Sequence, residues 1–247
     1  MTESLSQARA AVDAAHGVVA KAGDRLADLA TDGDRISVAR LDEHQVLAYD
    51  LAHAAAGLEG SKVMLDYAEH GEIESMLARA YIADAVSELA ARLVGRTATW
   101  GSGLDALDPA MPFVEEHRAP KFLAALGDQV AVHGTGPSHL SDDFELVAET
   151  FRRFADDRIR PLAEHVHRTN ADVPEELISG LAELGAFGLS VPEEYEGFAS
   201  GGEHDSLGMV VSTEELSRGS LGIGGSLITR PEILTRAIVA GLSLIHI

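Results

Sequence analysis

Cysteine is absent from this 247-residue sequence, and aromatic residues are scarce, with one tryptophan, four tyrosines and seven phenylalanines. Without cysteine the chain can form neither disulfides nor thiolate nucleophiles nor thiolate metal ligands, a composition typical of a cytosolic protein. So few aromatic residues, beside abundant alanine and leucine, disfavour a strand-rich sandwich. We therefore expect an all-α, cytoplasmic protein.

Positive charge and long apolar runs are also in short supply. Lysine and arginine number 19 against 40 aspartates and glutamates, which gives a net charge of −21. Residues 1–140 carry 11 basic and 21 acidic side chains, and the remainder carries 8 and 19, so neither half offers a basic face. No stretch approaches the roughly 18 uncharged apolar residues of a spanning helix, and no signal-peptide pattern opens the chain. We expect neither a nucleic-acid partner nor a membrane span.

Apolar periodicity predicts helices over the first part of the chain. A weakly amphipathic, alanine-rich helix covers residues 4–29 and is broken by the turn at 31–34. Residues 41–69 and 72–94 form a predicted helical hairpin, with Gly71 placed to end its first helix. The hairpin is the main feature of this part of the chain.

Glycine and proline interrupt the helical pattern after the hairpin. We interpret residues 95–140 as a linker that contains one short helix at 122–132. Residues 1–139 are therefore predicted to be a helical extension and linker that precede a second domain.

The second domain opens with a strong helix start. The Ser141 hydroxyl can cap free amides, and acidic residues follow it, so a helix is predicted over 142–160, with a break or kink at Pro161. A later helix has Pro174 at its first position and Gly185 as its stop. An extended run is predicted at 186–192. Further helices are predicted over 162–168, 205–218, 220–229 and 231–241.

Two motifs in this domain resemble a known family. Residues 183–197, ELGAFGLSVPEEYEG, are similar to the "ELGLLGL-VPEEYGG" signature of the N-terminal helical domain of flavin-dependent acyl-CoA dehydrogenases. Residues 214–222, EELSRGSLG, resemble that family's "EELAR/YG" helix. The resemblance covers residues 140–241 and departs from the family at Glu196, where a second glycine is usual.

The resemblance implies an FAD-dependent enzyme of fatty-acid metabolism. Such enzymes remove an α-proton from an acyl-CoA thioester with a carboxylate, while the β-hydrogen leaves as hydride to FAD, and they pass the electrons to a further acceptor. Polarisation of the thioester carbonyl makes the α-proton acidic enough for this step. The family also implies a homo-oligomer. Its flavin contacts and catalytic base come from regions beyond residue 241, so we expect this chain to be an inactive fragment with no catalytic or flavin-binding residue of its own.

The family also suggests which residues line the substrate site. Carried over by position, Leu221, Ile223, Gly224 and Gly225 would floor or border the acyl pocket, where glycines leave room for a bulky acyl group. Alternatively, these glycines permit close helix packing. Both interpretations stay open at the level of sequence.

Other candidate chemistry is weaker. Glu214 and Glu215 point about 100° apart on a helix and cannot share a proton, so we expect them to be solvated or ion-paired at the surface. His165 and His167 are likewise splayed, and no metal site is expected.

Residues 242–247, LSLIHI, depart abruptly from the helical pattern, and we interpret them as a non-native tail, with a native apolar tail as the alternative. A rival to the enzyme hypothesis is a non-catalytic helical interaction module built on the hairpin at 41–94.

Overall fold

The computed structural model describes residues 3–134 and 136–241. The chain divides into two compact units, unit 1 (Met1–Pro137) and unit 2 (Ser138–Ile247). Apart from one two-stranded hairpin, the regular structure of the described residues is helical, which confirms the predicted all-α fold. The tail predicted at 242–247 lies outside the described residues. None of the helices in the described part of the chain is long and apolar enough to cross a membrane.

Unit 1 is built around three long helices that pack side by side. Its described helices are α1 (Glu3–Ala30), α2 (Val38–Glu43), α3 (Gln45–Tyr67), α4 (Glu72–Leu93), α5 (Thr97–Trp100), α6 (Met111–His117) and α7 (Pro120–His133). Strands β1 (Thr31–Asp32) and β2 (Arg35–Ile36) form an antiparallel hairpin after α1, and a 3₁₀ turn (Leu104–Ala110) precedes α6. Alanines along α1 are buried in the core, and such small side chains allow neighbouring helices to approach closely.

The predicted hairpin is confirmed as α3 and α4, with two differences. His44 separates the short helix α2 from α3, so the first arm is two helices. Gly71 does not end α3 in a left-handed conformation. Its backbone is extended, with φ −179°, and it is the residue that precedes α4, while α3 has already ended at Tyr67.

The linker interpretation is wrong for most of residues 97–133. This stretch forms α5, the 3₁₀ turn, α6 and α7, and it contributes Trp100, Leu107 and Phe113 to the core of unit 1. Some of its glycines and prolines lie at the junctions of short helices, such as Gly101, with φ +70° after α5, and Pro120, the first residue of α7. The predicted helix at 122–132 is confirmed within α7.

Unit 2 has shorter helices joined by tight turns. Its described helices are α8 (Asp142–Phe154), α9 (Arg160–Thr169), α10 (Glu175–Glu183), α11 (Glu203–Gly219) and α12 (Ser226–Gly241). Two π-helical turns, turn A (Ala155–Ile159) and turn B (Leu221–Gly225), lead into α9 and α12. The core of the unit includes Phe151, Leu177, Leu181, Leu216 and Ile228.

Unit 2 differs from the prediction at three places. No break occurs at Pro161, because turn A precedes it and accommodates its ring and its missing N–H. Pro231 lies inside α12, so the two helices predicted at 220–229 and 231–241 are one helix preceded by turn B. The extended run predicted at 186–192 is instead a 3₁₀ turn at Ala186–Gly188 and a bend. The predicted stop at Gly185 is confirmed, with φ +74° just after α10.

Candidate functional site

The first family-like motif folds into a compact double turn after α10. Ala199 N donates a hydrogen bond to Val191 O at 2.9 Å, and Glu193 N donates to Ala199 O at 3.1 Å. A Cβ on Gly197 would lie 2.5 Å from the carbonyl carbon of Val191, a distance that real side chains do not reach. The motif therefore needs glycine at position 197 because two stretches of backbone cross there.

Glu196 has a left-handed backbone, with φ +64° and ψ 22°. A non-glycine residue is strained in this region. Glu196 is the position at which the sequence departs from the glycine that is usual in the family. A glycine at this position would relieve the backbone strain.

The second motif contributes a buried, ion-paired carboxylate. Glu214 is exposed, whereas the side chain of Glu215 is only 8% exposed and accepts hydrogen bonds from Arg152 and Arg218. The expectation of a solvated or ion-paired surface position is therefore right for Glu215 in its ion pairing and wrong in its exposure. Sequence reasoning missed Arg152, because its partner is 63 residues away along the chain, although the spacing of Glu215 and Arg218 by one helical turn was a usable signal.

Electrostatics keep Glu215 ionised. Burial alone would raise the pKa of its carboxyl group, but hydrogen bonds from Arg152 and Arg218 outweigh burial and hold the pKa below its ordinary value. A carboxylate held in this way is a poor proton carrier near neutral pH, so Glu215 suits a fixed structural charge and not acid–base chemistry.

The four predicted site residues all lie in turn B, but they face different surroundings. Leu221 is 75% exposed, whereas Ile223 is 1% exposed and belongs to the core. A Cβ on Gly224 would lie 2.5 Å from the carbonyl carbon of Leu216, so close packing accounts for this glycine. A Cβ on Gly225 would lie 3.4 Å from Leu221 Cδ1, which is ordinary contact. The structure therefore brings Leu221 and Gly225 together on the exposed side of the turn and directs Ile223 inward.

Two surface clefts of unit 2 lie near α11 and α12. A cleft of about 410 Å³ is bordered by the double turn, the start of α11 and the end of α12, and one of about 380 Å³ lies between α11 and α12. The predicted site residues line neither cleft. The first is lined by Leu189, Ser190, Pro192, Ala199, Gly201, Gly202, Asp205, Ser206, Arg236, Val239 and Ala240. Among the residues that the structure describes, no group of three or more histidines and carboxylates is placed to hold a metal ion.

Comparison with known proteins supports this assignment of motifs. Residues 141–241 match the family model for the acyl-CoA dehydrogenase N-terminal domain. The chain is 32% identical over 229 residues to (2S)-methylsuccinyl-CoA dehydrogenase of Cereibacter sphaeroides, an alignment that covers 85% of this chain. It is 34% identical over 94 residues to 3-(aryl)acrylate reductase of Clostridium sporogenes, and 34% identical over 82 residues to glutaryl-CoA dehydrogenase of Desulfococcus multivorans.

The alignments differ in how much of each chain they include. They cover 38% and 33% of this chain for the reductase and the glutaryl-CoA dehydrogenase, less than half of the coverage that the first relative reaches. The chain spans only 41%, 23% and 21% of the lengths of these three relatives. The family predicted from the two motifs is confirmed for residues 141–241, which match the acyl-CoA dehydrogenase N-terminal domain.

Proposed function

We propose that this chain is part of an FAD-dependent dehydrogenase that introduces an α,β double bond into an acyl-CoA thioester. The observation that carries the proposal is the family match over residues 141–241, which includes both motifs. Further support comes from Gly197 and Gly224, at which the backbone geometry of unit 2 requires the glycine. Residues 140–241 would be the dehydrogenase N-terminal domain, and residues 1–139 a helical extension.

For the substrate, we propose a short, branched dicarboxylic acyl-CoA thioester of the methylsuccinyl type. The relative whose name specifies (2S)-methylsuccinyl-CoA aligns with 85% of this chain, too much for unit 2 alone to supply. Glutaryl-CoA, named in another relative, is the thioester of an unbranched dicarboxylic acid and is the first alternative to compare.

Within unit 2, we propose that the exposed side of turn B borders the acyl group. Leu221 is a large apolar side chain left 75% exposed, and Gly225 beside it adds no bulk. Ile223 and Gly224 would support this surface from the core side. Leu221→Ala should then change the relative KM values for short and bulky acyl-CoA thioesters, because it alters the space available to the acyl group.

The residues described here do not fit a dinucleotide site. In residues 3–134 and 136–241, the strands are β1 and β2 of unit 1, each two residues long. Neither is followed by the glycine-rich turn and helix of a Rossmann-type dinucleotide site. Following the family resemblance, we propose that this chain supplies no catalytic base and no flavin contact. When bound, FAD would accept the hydride, and other parts of the polypeptide would supply the flavin contacts and the base. The parent enzyme would be a cytoplasmic homo-oligomer in fatty-acid metabolism, with a separate electron acceptor.

The test uses the full-length protein and, beside it, the chain of residues 1–247. The full-length protein should be yellow, and with an artificial electron acceptor it should convert (2S)-methylsuccinyl-CoA to a product two hydrogen masses lighter. It should convert glutaryl-CoA and straight-chain acyl-CoA more slowly. The 1–247 chain should be inactive in the same assay.

A full-length protein that stays colourless after addition of FAD would contradict the proposal and favour the rival, a helical interaction module based on α3 and α4. A yellow protein that prefers glutaryl-CoA would keep the dehydrogenase and overturn only the substrate class.

A further inference from the structure

Four ion-paired side chains connect α8, turn A and α11. Arg152 Nε donates to both carboxylate oxygens of Glu215 at 3.1 Å, and Arg152 Nη2 donates to Glu215 Oε1 at 2.5 Å. Arg218 Nε donates to Glu215 Oε2 at 3.0 Å, and Arg218 also donates to Asp156 Oδ2 at 2.9 Å. Because Asp156 belongs to turn A, the network joins this turn to α11.

Glu215 is the centre of the network. Its side chain is 8% exposed, while those of Arg152, Arg218 and Asp156 are 49%, 36% and 39% exposed. Several charge-assisted hydrogen bonds on one buried carboxylate define its position more narrowly than a single surface ion pair could. The partly exposed arginines are therefore held by a fixed centre.

Turn B begins six residues after Glu215, and two further contacts fix where it starts. A Cβ on Gly219 would lie 2.9 Å from the Cβ of Ala155, the first residue of turn A, so the two segments touch there. Ser220 Oγ then accepts a hydrogen bond from Ile223 N at 3.3 Å, inside turn B. The ion pairs, the glycine contact and the serine cap thus lie in sequence along residues 215–220.

We propose that Glu215 is a positioning residue that sets the place of turn B against turn A, and through it the place of Leu221 at the acyl group. The second half of this statement rests on the proposed function. The first half concerns only the geometry of unit 2. Glu215 itself touches no substrate in this scheme, because its carboxylate oxygens are occupied by arginines.

Unit 1 provides a matched control. Asp50 of α3 is also a buried carboxylate that pairs with two arginines, Arg92 at 3.2 Å and Arg96. Asp50→Asn therefore removes the same kind of charge from the other unit, where no π-helical turn depends on it. Both variants, Glu215→Gln and Asp50→Asn, keep the volume of the side chain nearly constant.

The first measurement is amide hydrogen exchange on the 1–247 chain. Glu215→Gln should accelerate exchange at least about tenfold in residues 219–225, including Ile223, because a buried charge-assisted contact is lost. Amides of α10, which packs in the same core, should keep their rates to within about twofold. Asp50→Asn should change neither region. Equal acceleration in α10 and turn B would reduce Glu215 to a general stability residue and overturn the proposal, as would unchanged exchange in turn B.

Arg218→Gln covers the case in which Glu215→Gln fails to fold. It removes the guanidinium group of a partly exposed side chain and with it the link to Asp156, so the unit should still fold. Amide exchange should accelerate less than in Glu215→Gln, and only in residues 219–225. Uniform or absent acceleration in this variant would overturn the proposal in the same way.

The second measurement is steady-state kinetics of the full-length enzyme. Glu215→Gln should raise the KM for the acyl-CoA substrate about tenfold and leave kcat within about twofold, because binding geometry changes and the reacting groups do not. A loss of kcat at unchanged KM would contradict the role at the acyl group. If the full-length protein has no dehydrogenase activity, the proposed function fails while the exchange result still decides the positioning of turn B.

Discussion

The two units of this chain use glycine in different ways. In unit 1, glycines such as Gly17, Gly23 and Gly127 have no atom within 4 Å of where a Cβ would be, and Gly60 faces the hydroxyl end of a tyrosine. In unit 2, the three glycines at positions 197, 219 and 224 lie against backbone atoms of a neighbouring segment. The close contacts of the described unit 1 glycines are with side-chain atoms, which can move, whereas these three glycines of unit 2 lie against backbone, which cannot move easily.

Two of these glycines, Gly197 and Gly219, fall inside the two motifs from which the family is predicted. A fold that depends on backbone contacts allows one residue type at each contact, so short motifs stay readable. A fold that depends on burying many alanines and leucines accepts other small apolar residues, and it leaves only periodicity in the sequence. The two motifs that indicated the family both come from the first kind of fold.

The largest effect should come from a methyl group at a backbone contact. Gly224→Ala should destabilise unit 2 by about 3 kcal/mol or more, because the new Cβ overlaps the backbone of Leu216. Gly127→Ala is the matched control in α7 of unit 1, and it should stabilise its helix by up to about 1 kcal/mol. Urea unfolding followed by circular dichroism reports both units, and fluorescence of Trp100, the single tryptophan, reports unit 1.

If Gly224→Ala and Gly127→Ala changed the free energy of unfolding equally, the proposed difference between the two units would be wrong. A Gly224→Ala protein whose circular dichroism transition is unchanged would contradict it as well.

A second experiment tests the core of unit 1 through His117. Its side chain is 1% exposed, its Nδ1 bonds to Phe113 O at 2.9 Å, and burial lowers its pKa below the ordinary value. Below about pH 6.5, His117 of the unfolded chain therefore binds a proton that the folded unit does not bind. The stability that depends on neutral His117 is fully present above that pH and is lost as the pH falls below it. The expected loss between pH 6.5 and pH 5 is up to about 2 kcal/mol.

The pH dependence is measured by the Trp100 fluorescence transition in urea. His117→Phe, which removes the titrating imidazole from between the rings of Phe113 and Phe122, should flatten the dependence. If wild type and variant lose equal stability between pH 7 and pH 5, His117 is not the cause.

The smallest effect concerns the strained backbone of the first motif. Glu196→Gly should stabilise unit 2 by about 1 kcal/mol, because glycine adopts φ +64° without the steric cost that glutamate has. Asn170, with φ +50° after α9, is the control, since asparagine tolerates this conformation and Asn170→Gly should change stability little. A destabilised Glu196→Gly protein would mean that the glutamate side chain contributes more than its backbone costs.

Helices with clear apolar periodicity could be predicted from the sequence, and α4 and α10 lie close to their expected bounds. The helix expected over 142–160 begins at Asp142 but passes into turn A after Phe154, and the Ser141 hydroxyl makes no cap hydrogen bond. The two π-helical turns could not, because an apolar stripe does not distinguish one extra residue in a turn. Short packed helices at 97–133 were hidden for another reason. Glycine and proline mark helix junctions and linkers alike, and only burial separates the two.

The helical placement of the four candidate residues was predictable, but their contacts were not. The opposite orientations of Leu221 and Ile223 agree with a helical step of two residues, whereas the sequence does not reveal which of the two faces the core or that the turn is π-helical. The pairing of Arg152 with Glu215 is a through-space contact between distant segments, and no local pattern encodes it.

Turn A also bears on how relatives of this domain should be aligned. A π-helical turn holds one residue more than an α-helical turn, so it acts as a single insertion that the helix has absorbed. Loss of one residue from 155–159 would let the segment return to α-helical winding and leave α9 facing the core as before. Elsewhere in a helix, the same deletion would rotate everything beyond it by about 100°. A one-residue gap in this stretch is therefore compatible with an unchanged domain.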